Sequence, residues 1–249
     1  MSVASLSRPP ATGAAARARA RETLWRLAAI AFAHPTAEQH AAIESGDFHD
    51  AFAEAWGDIT GRAWLRTEPP GSFQTFEAGY IAAFLHGHKG KPIAALLGGE
   101  HEELLRGLSR PSFMLNVAGF YSHFGLKSAV EDEGRVDEPD HLAAMTEFMA
   151  VLCHLEAAAC ETGRDAGSPR RAQRDFLARY HAPLLDCVAG KLRRAGFDGL
   201  DPTINQIVQE LAPFARQQIA ELEALTGPYR DPDAPRPSSG EPMPQNLWG

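Results

Sequence analysis

Apolar residues along this chain recur at three- and four-residue steps, the spacing of one helix face, and almost nowhere alternate one by one as in a half-buried strand. Trp25, Ala28, Ala29 and Phe32 make a first stripe, ended by His34-Pro35. Residues 43–56 read as two short helices broken near Gly46. Phe73, Phe76, Tyr80, Ile81 and Phe84 mark another helix, stopped by the glycine-flanked run from His86 through His88 to Gly90. Helices over 101–108 and 112–124 follow, split by Arg110-Pro111. The longest is predicted from 138 to about 162, on Leu142, Met145, Met149, Leu152 and Glu156, widened by Phe148 and Leu155. A break over 163–169 starts a helix over 170–195. A last helix carries Ile204, Ile207, Val208, Leu211, Phe214 and Ile219, with Pro213 predicting a kink. No β-branched run alternates between turns, so the expected fold is all-α, a single-domain helical bundle.

The ends read differently. Residues 1–16 are rich in Ser, Ala, Pro and Gly, and Arg17, Arg19 and Arg21 then alternate with alanine. We read residues 1–18 as a flexible arm, 19–226 as the helical domain and 227–249 as a proline-rich extended tail. An export segment is not expected at the N-terminus, because no uninterrupted apolar stretch follows the arginines and these are not adjacent.

Composition narrows the function. At 249 residues and 44% hydrophobic content the chain can bury a large core. A net charge of −8 argues against nucleic acid as a partner, since tracking phosphates requires a basic face. The longest apolar run, Leu27–Ala33, falls far short of the ~20 residues of a membrane span, and none is expected. Cys153, Cys160 and Cys187 form neither an even disulfide framework nor a CxxC pair, as suits reduced thiols in the cytoplasm. There is no phosphate-binding glycine loop, GxSxG elbow or HExxH helix, so no catalytic residue is assigned and no cofactor is expected.

The stretch before the longest helix is the most informative. Asp137 is placed to cap it, Pro139 suits the first turn, and Asp140 can close the cap from three residues on. Glu131, Asp132, Glu133, Asp137, Glu138 and Asp140 are opposed only by Arg135. On charge and spacing alone this is either a solvated, well-capped helix start or a rim that attracts a basic peptide, above all the bidentate fork of an arginine.

A resemblance favours the second reading. Phe120-Tyr121, Phe124-Gly125-Leu126, then Pro139-Asp140-His141-Leu142, then Glu147-Phe148-Met149 resemble the signature of the TorD/DmsD/NarJ family of redox-enzyme maturation chaperones. Phe76, Glu77, Tyr80 and Phe84, followed by Gly90-Lys91-Pro92-Ile93, resemble a second family element. Phe176 and His181 match a third only loosely, with Ala182 and Leu185 where the family has Leu and Trp. The likeness spans roughly residues 73–225.

It implies a cytoplasmic chaperone without enzymatic activity. Its partner would be the catalytic subunit of a molybdenum enzyme of the DMSO-reductase type and that subunit's twin-arginine leader, held until the molybdenum cofactor is inserted. Tyr80, Phe84, Glu138, Pro139, Asp140, His141 and Glu147 would then bind the client: carboxylates pair with leader arginines, and the aromatic residues take the apolar side chains after them. His141, among carboxylates that favour its charged form, would make binding pH-sensitive. Escort of the client's mature region is a variant of the same reading. Monomer and homodimer are both compatible. A reading from another class, a small helical regulator or metal-binding protein using the His86/His88 loop, stays open, since imidazole pairs ligate transition metals.

Overall fold

Two helices from opposite parts of the chain form the centre of the molecule. In a computed structural model that describes residues 13–68, 70–87, 90–126 and 138–231, α1 (Ala14–Phe32) lies along α7 (Leu142–Glu161). Leu24, Trp25, Ala28 and Phe32 of the one, and Leu142, Met145, Met149 and Leu152 of the other, are fully buried. Around this pair come α2 (Ala37–Ser45) and α3 (Asp47–Thr60), hinged at Gly46, whose φ of +93° is a left-handed value that favours glycine. Then follow α4 (Phe73–Phe84), the short α5 (Glu102–Leu105) and α6 (Arg110–His123). After α7, α8 (Gly167–Phe176) runs through one π turn at Leu177–His181 into α9 (Ala182–Ala195), and α10 (Pro202–Thr226) packs against both. The chain is all-α: among the described residues the one β-type pairing is an isolated antiparallel bridge, Leu97 to His141.

The core holds two aromatic groups, one including Trp25 of α1 and the other Phe148 of α7. Phe52, Trp56, Trp64, Phe214 and Trp25 form one, mostly through tilted and edge-on ring contacts. Phe113, Phe120, Tyr121, Phe148, Phe176 and Tyr180 interlock in the other. At its outer edge α4 approaches the backbone so closely that a Cβ on Gly79 would lie 2.1 Å from the Gly199 carbonyl oxygen, so only glycine fits there.

Several boundaries move. Residues 14–18, read as arm, belong to α1, and Ala18 is fully buried. Alanine and arginine are strong helix formers, so their alternation extends the helix. Beyond α10, residues 227–231, read as tail, lie against the body: Arg174 donates to the Gly227 carbonyl (2.7 Å) and Arg106 pairs with Asp231. The 101–108 helix shrinks to α5, and α6 starts at Arg110 with Ser109 as its cap. Pro213 sits inside α10, which continues past it to Thr226. By length and composition α7 is apolar enough to cross a membrane, although no uninterrupted run suggested it. Most of it is buried as the core helix against α1.

One polar cluster ties the central pair. Glu156, on the apolar stripe of α7, is buried and accepts from Arg21 of α1 (2.6 Å), and from Arg170 (2.8 Å) and Gln173 (2.9 Å) of α8. Burial alone would raise its pKa, but Arg21, Arg170 and Gln173 hold it below the usual carboxylate value. Toward the same end of the pair Arg19 pairs with Glu161 (2.9 Å).

Candidate functional site

The turn before α7 is held by the loop before α5. Gly98 N–H donates to the Asp140 carbonyl (2.9 Å), and Leu142 N–H donates to the Leu96 carbonyl (2.8 Å). Asp140 is completely buried, and its Oδ2 accepts the Gly99 N–H at 2.7 Å. Burial pushes its carboxyl pKa up. A Cβ on Gly99 would lie 2.5 Å from the Arg110 side chain and 3.0 Å from Asp140 Oδ2, so the Gly98-Gly99 pair, which carries no motif of its own, is what lets the loop close on the turn. Tyr121 Oη donates to the Pro139 carbonyl (2.6 Å) from the other side.

These bonds displace the expected cap. Helix α7 starts at Leu142, not at 138, and its N-cap is His141, whose Nδ1 accepts the Ala143 N–H (3.2 Å). Glu138, Pro139 and Asp140 form the turn ahead of it. With Nδ1 accepting, the neutral His141 ring carries its hydrogen on Nε2. Asp137 and the acidic run Glu131-Asp132-Glu133 lie outside the described residues.

A cavity of about 340 Å³ opens beside this cap. Its walls come from four segments: Ala33 and His34 after α1, Tyr80 and Leu85 at the end of α4, Leu97, and Glu138, His141, Ala143, Ala144 and Glu147 around the start of α7. Of the residues expected to act together, the structure therefore gathers Tyr80, Glu138, His141 and Glu147. Tyr80 is buried at the inner wall, its hydroxyl donating to the Phe32 carbonyl (2.8 Å) and its ring 5.8 Å from that of His34. Glu138 meets Arg110 (2.8 Å), while Glu147 lies on the exposed side of α7.

The other three fall elsewhere. Phe84 is a core residue packed edge-on to Tyr80 (ring centroids 5.0 Å) and does not line the cavity. Asp140 faces the glycine pair, so it belongs to the scaffold and not to an acidic rim. Pro139 offers its carbonyl to Tyr121. His34, Leu85 and Leu97 were missed; His34-Pro35 was legible only as a helix stop, and nothing local marks Leu97 as a wall. His86 is exposed, and His88 lies outside the described residues. The third motif is structural. Phe176 sits at the centre of an aromatic cluster, and His181 is fully buried against Trp25 (ring centroids 5.1 Å).

The arrangement suits binding more than chemistry. One apolar wall, two carboxylates and two imidazoles face the cleft, and the one hydroxyl among the lining residues, that of Tyr80, is donated to the Phe32 carbonyl.

Comparison with known proteins agrees. The family described as the nitrate reductase delta subunit matches residues 45–188. The chain is 53% identical to the dimethyl sulfide dehydrogenase assembly chaperone protein of Rhodovulum sulfidophilum, over 97% of each chain. It is 38% identical to the selenate reductase assembly chaperone protein of Thauera selenatis, over 70% of this chain and 86% of that one. It is 32% identical to the perchlorate reductase assembly chaperone protein of Dechloromonas aromatica, over 70% and 78%. No solved structure matches. The chain therefore belongs to the nitrate reductase delta subunit family, the NarJ/TorD type of assembly chaperone to which its motifs pointed.

Proposed function

We propose that this protein is a cytoplasmic assembly chaperone that binds the catalytic subunit of a molybdenum-containing dehydrogenase or reductase and holds it until its cofactor is in place. The observation that carries the reading is identity at more than half of all positions, over nearly the whole of both chains, with a dimethyl sulfide dehydrogenase assembly chaperone. At finer scale, the twin-arginine leader of the client binds in the cavity beside α7. Leader arginines meet Glu147 and compete with Arg110 for Glu138, while apolar leader residues lie along Leu85, Leu97 and the Tyr80 ring. Apolar contact supplies affinity, and the carboxylates set register.

The test is affinity for a synthetic leader peptide. Glu147→Lys puts a cation on the exposed side of α7 and should weaken binding about tenfold or more, because facing like charges cost several kcal/mol. A leader whose arginines are replaced by glutamine should bind wild type and variant alike. Equal loss for both peptides would contradict pairing between leader arginines and the cavity. Asp140→Ala is a poor probe of binding, since the residue holds the Gly98-Gly99 loop.

A further inference from the structure

Between α5 and α9, at residues that do not line the cavity, three side chains of different chemistry converge. We propose that His101 Nδ1, a Glu103 carboxylate oxygen and Cys187 Sγ form a three-ligand site for a borderline divalent transition ion of the zinc class. The three ligand atoms lie within 4.8 Å of one another, with His101 Nδ1 4.0 Å and Cys187 Sγ 3.5 Å from Glu103 Oε1. Ligands about 2.0–2.3 Å from a tetrahedral zinc stand roughly 3.3–3.8 Å apart, so the observed spacing needs only rotamer-scale contraction.

The histidine is prepared for the role. Its ring is fully buried, and Nε2 lies 2.9 Å from the Ala95 carbonyl, an acceptor only, so Nε2 carries the hydrogen and Nδ1 presents its lone pair. A backbone carbonyl fixing the tautomer from behind is the usual second layer of a histidine–metal bond. The site also already holds a positive charge: Lys191 Nζ sits 2.9 Å from His101 Nδ1, one turn along α9 from Cys187. An incoming ion displaces that ammonium and takes its place. The Cys187 thiol sits against the Glu103 carboxylate (Sγ to Oε1 3.5 Å), and its binding as thiolate releases one proton to solvent per ion bound. Imidazole, thiolate and carboxylate together suit zinc, and a fourth position remains for water.

The ion would tie the Glu102–Leu105 turn to α9 and so brace the Leu96–Gly99 segment that supports the cavity. The site uses neither His86 nor His88, and its existence does not depend on the proposed client.

Cobalt(II) titration of the full chain tests it, because a thiolate ligand gives a near-ultraviolet charge-transfer band, and zinc affinity follows by competition with a chromophoric chelator. The expected result is one ion per chain, with the band lost in Cys187→Ser. Zinc affinity should fall in Cys187→Ser and Glu103→Gln by at least the roughly 10- to 100-fold that losing even an outer partner costs. It should rise in Lys191→Met, which removes the competing cation, and stay unchanged in His86→Ala/His88→Ala. Both weakening substitutions are at partly exposed side chains, and circular dichroism checks that helix content is kept. A missing band, zinc affinity unchanged in Cys187→Ser and Glu103→Gln, or binding abolished by the His86/His88 pair overturns the proposal.

Discussion

Buried against Trp25, the His181 ring has its Nε2 2.9 Å from Thr146 Oγ1, and Thr146 donates its own hydrogen to the Leu142 carbonyl. The ring therefore donates from Nε2, and its buried Nδ1 has no hydrogen-bond partner among the described residues. A second proton would place an unanswered cation in the core, and burial lowers the pKa to about 3. The unfolded chain regains the ordinary value of 6.5, so between these limits the unfolded state binds the extra proton. The contribution of His181 is complete above pH 6.5 and is lost as pH falls toward 3, at up to about 1.4 kcal/mol per pH unit. Urea unfolding from pH 7 to pH 4 should show a flatter stability profile for His181→Gln than for wild type; parallel profiles would contradict the assignment. His141 works in the same direction. As cap of α7 it must accept at Nδ1, so a charged ring would release the Ala143 N–H, and His141→Ala should cost on the order of 1 kcal/mol in thermal stability.

Between elements, the buried cluster joining α1, α7 and α8 decides how the central pair stands. Glu156→Ala leaves Arg21 charged and buried, which should cost roughly 3–5 kcal/mol in denaturant unfolding. Removing both charges with Arg21→Met and Glu156→Met should cost less than the two single losses added together, because neither is then left unpaired. A strictly additive double variant would show that the pair does not act as a unit. The helical spacing on the sequence put Glu156 on the buried stripe, and that was correct. What spacing cannot supply is the partner, since Arg21 is 135 positions away, just past the stretch read as an arm. The same limit explains the start of α7. Asp-Glu-Pro-Asp reads locally as a cap and first turn, but hydrogen bonds with the backbone of Leu96, Gly98 and Gly99, 41 or more residues upstream, hold the turn outside the helix.

For the molecule as a whole, the fold class and nearly every helix were legible because each amphipathic stripe is local and its stops are prolines and glycines. The candidate site was legible by halves. Tyr80, Glu138, His141 and Glu147 line one cavity, whereas Phe84 and Asp140 share their neighbourhood yet point into the core and into the glycine loop. Residue type suggested both sets equally; only tertiary packing separates them. The central claim, that the protein accompanies an oxidoreductase catalytic subunit, rests on its relatives. Affinity purification of the tagged full chain from its own host, grown so that molybdoenzymes are induced, with mass spectrometry of what co-purifies, tests this most directly. The expected result is a molybdenum-enzyme catalytic subunit with its leader still attached, recovered in reduced amount with Glu147→Lys. Recovery of no such subunit under those conditions would contradict the claim.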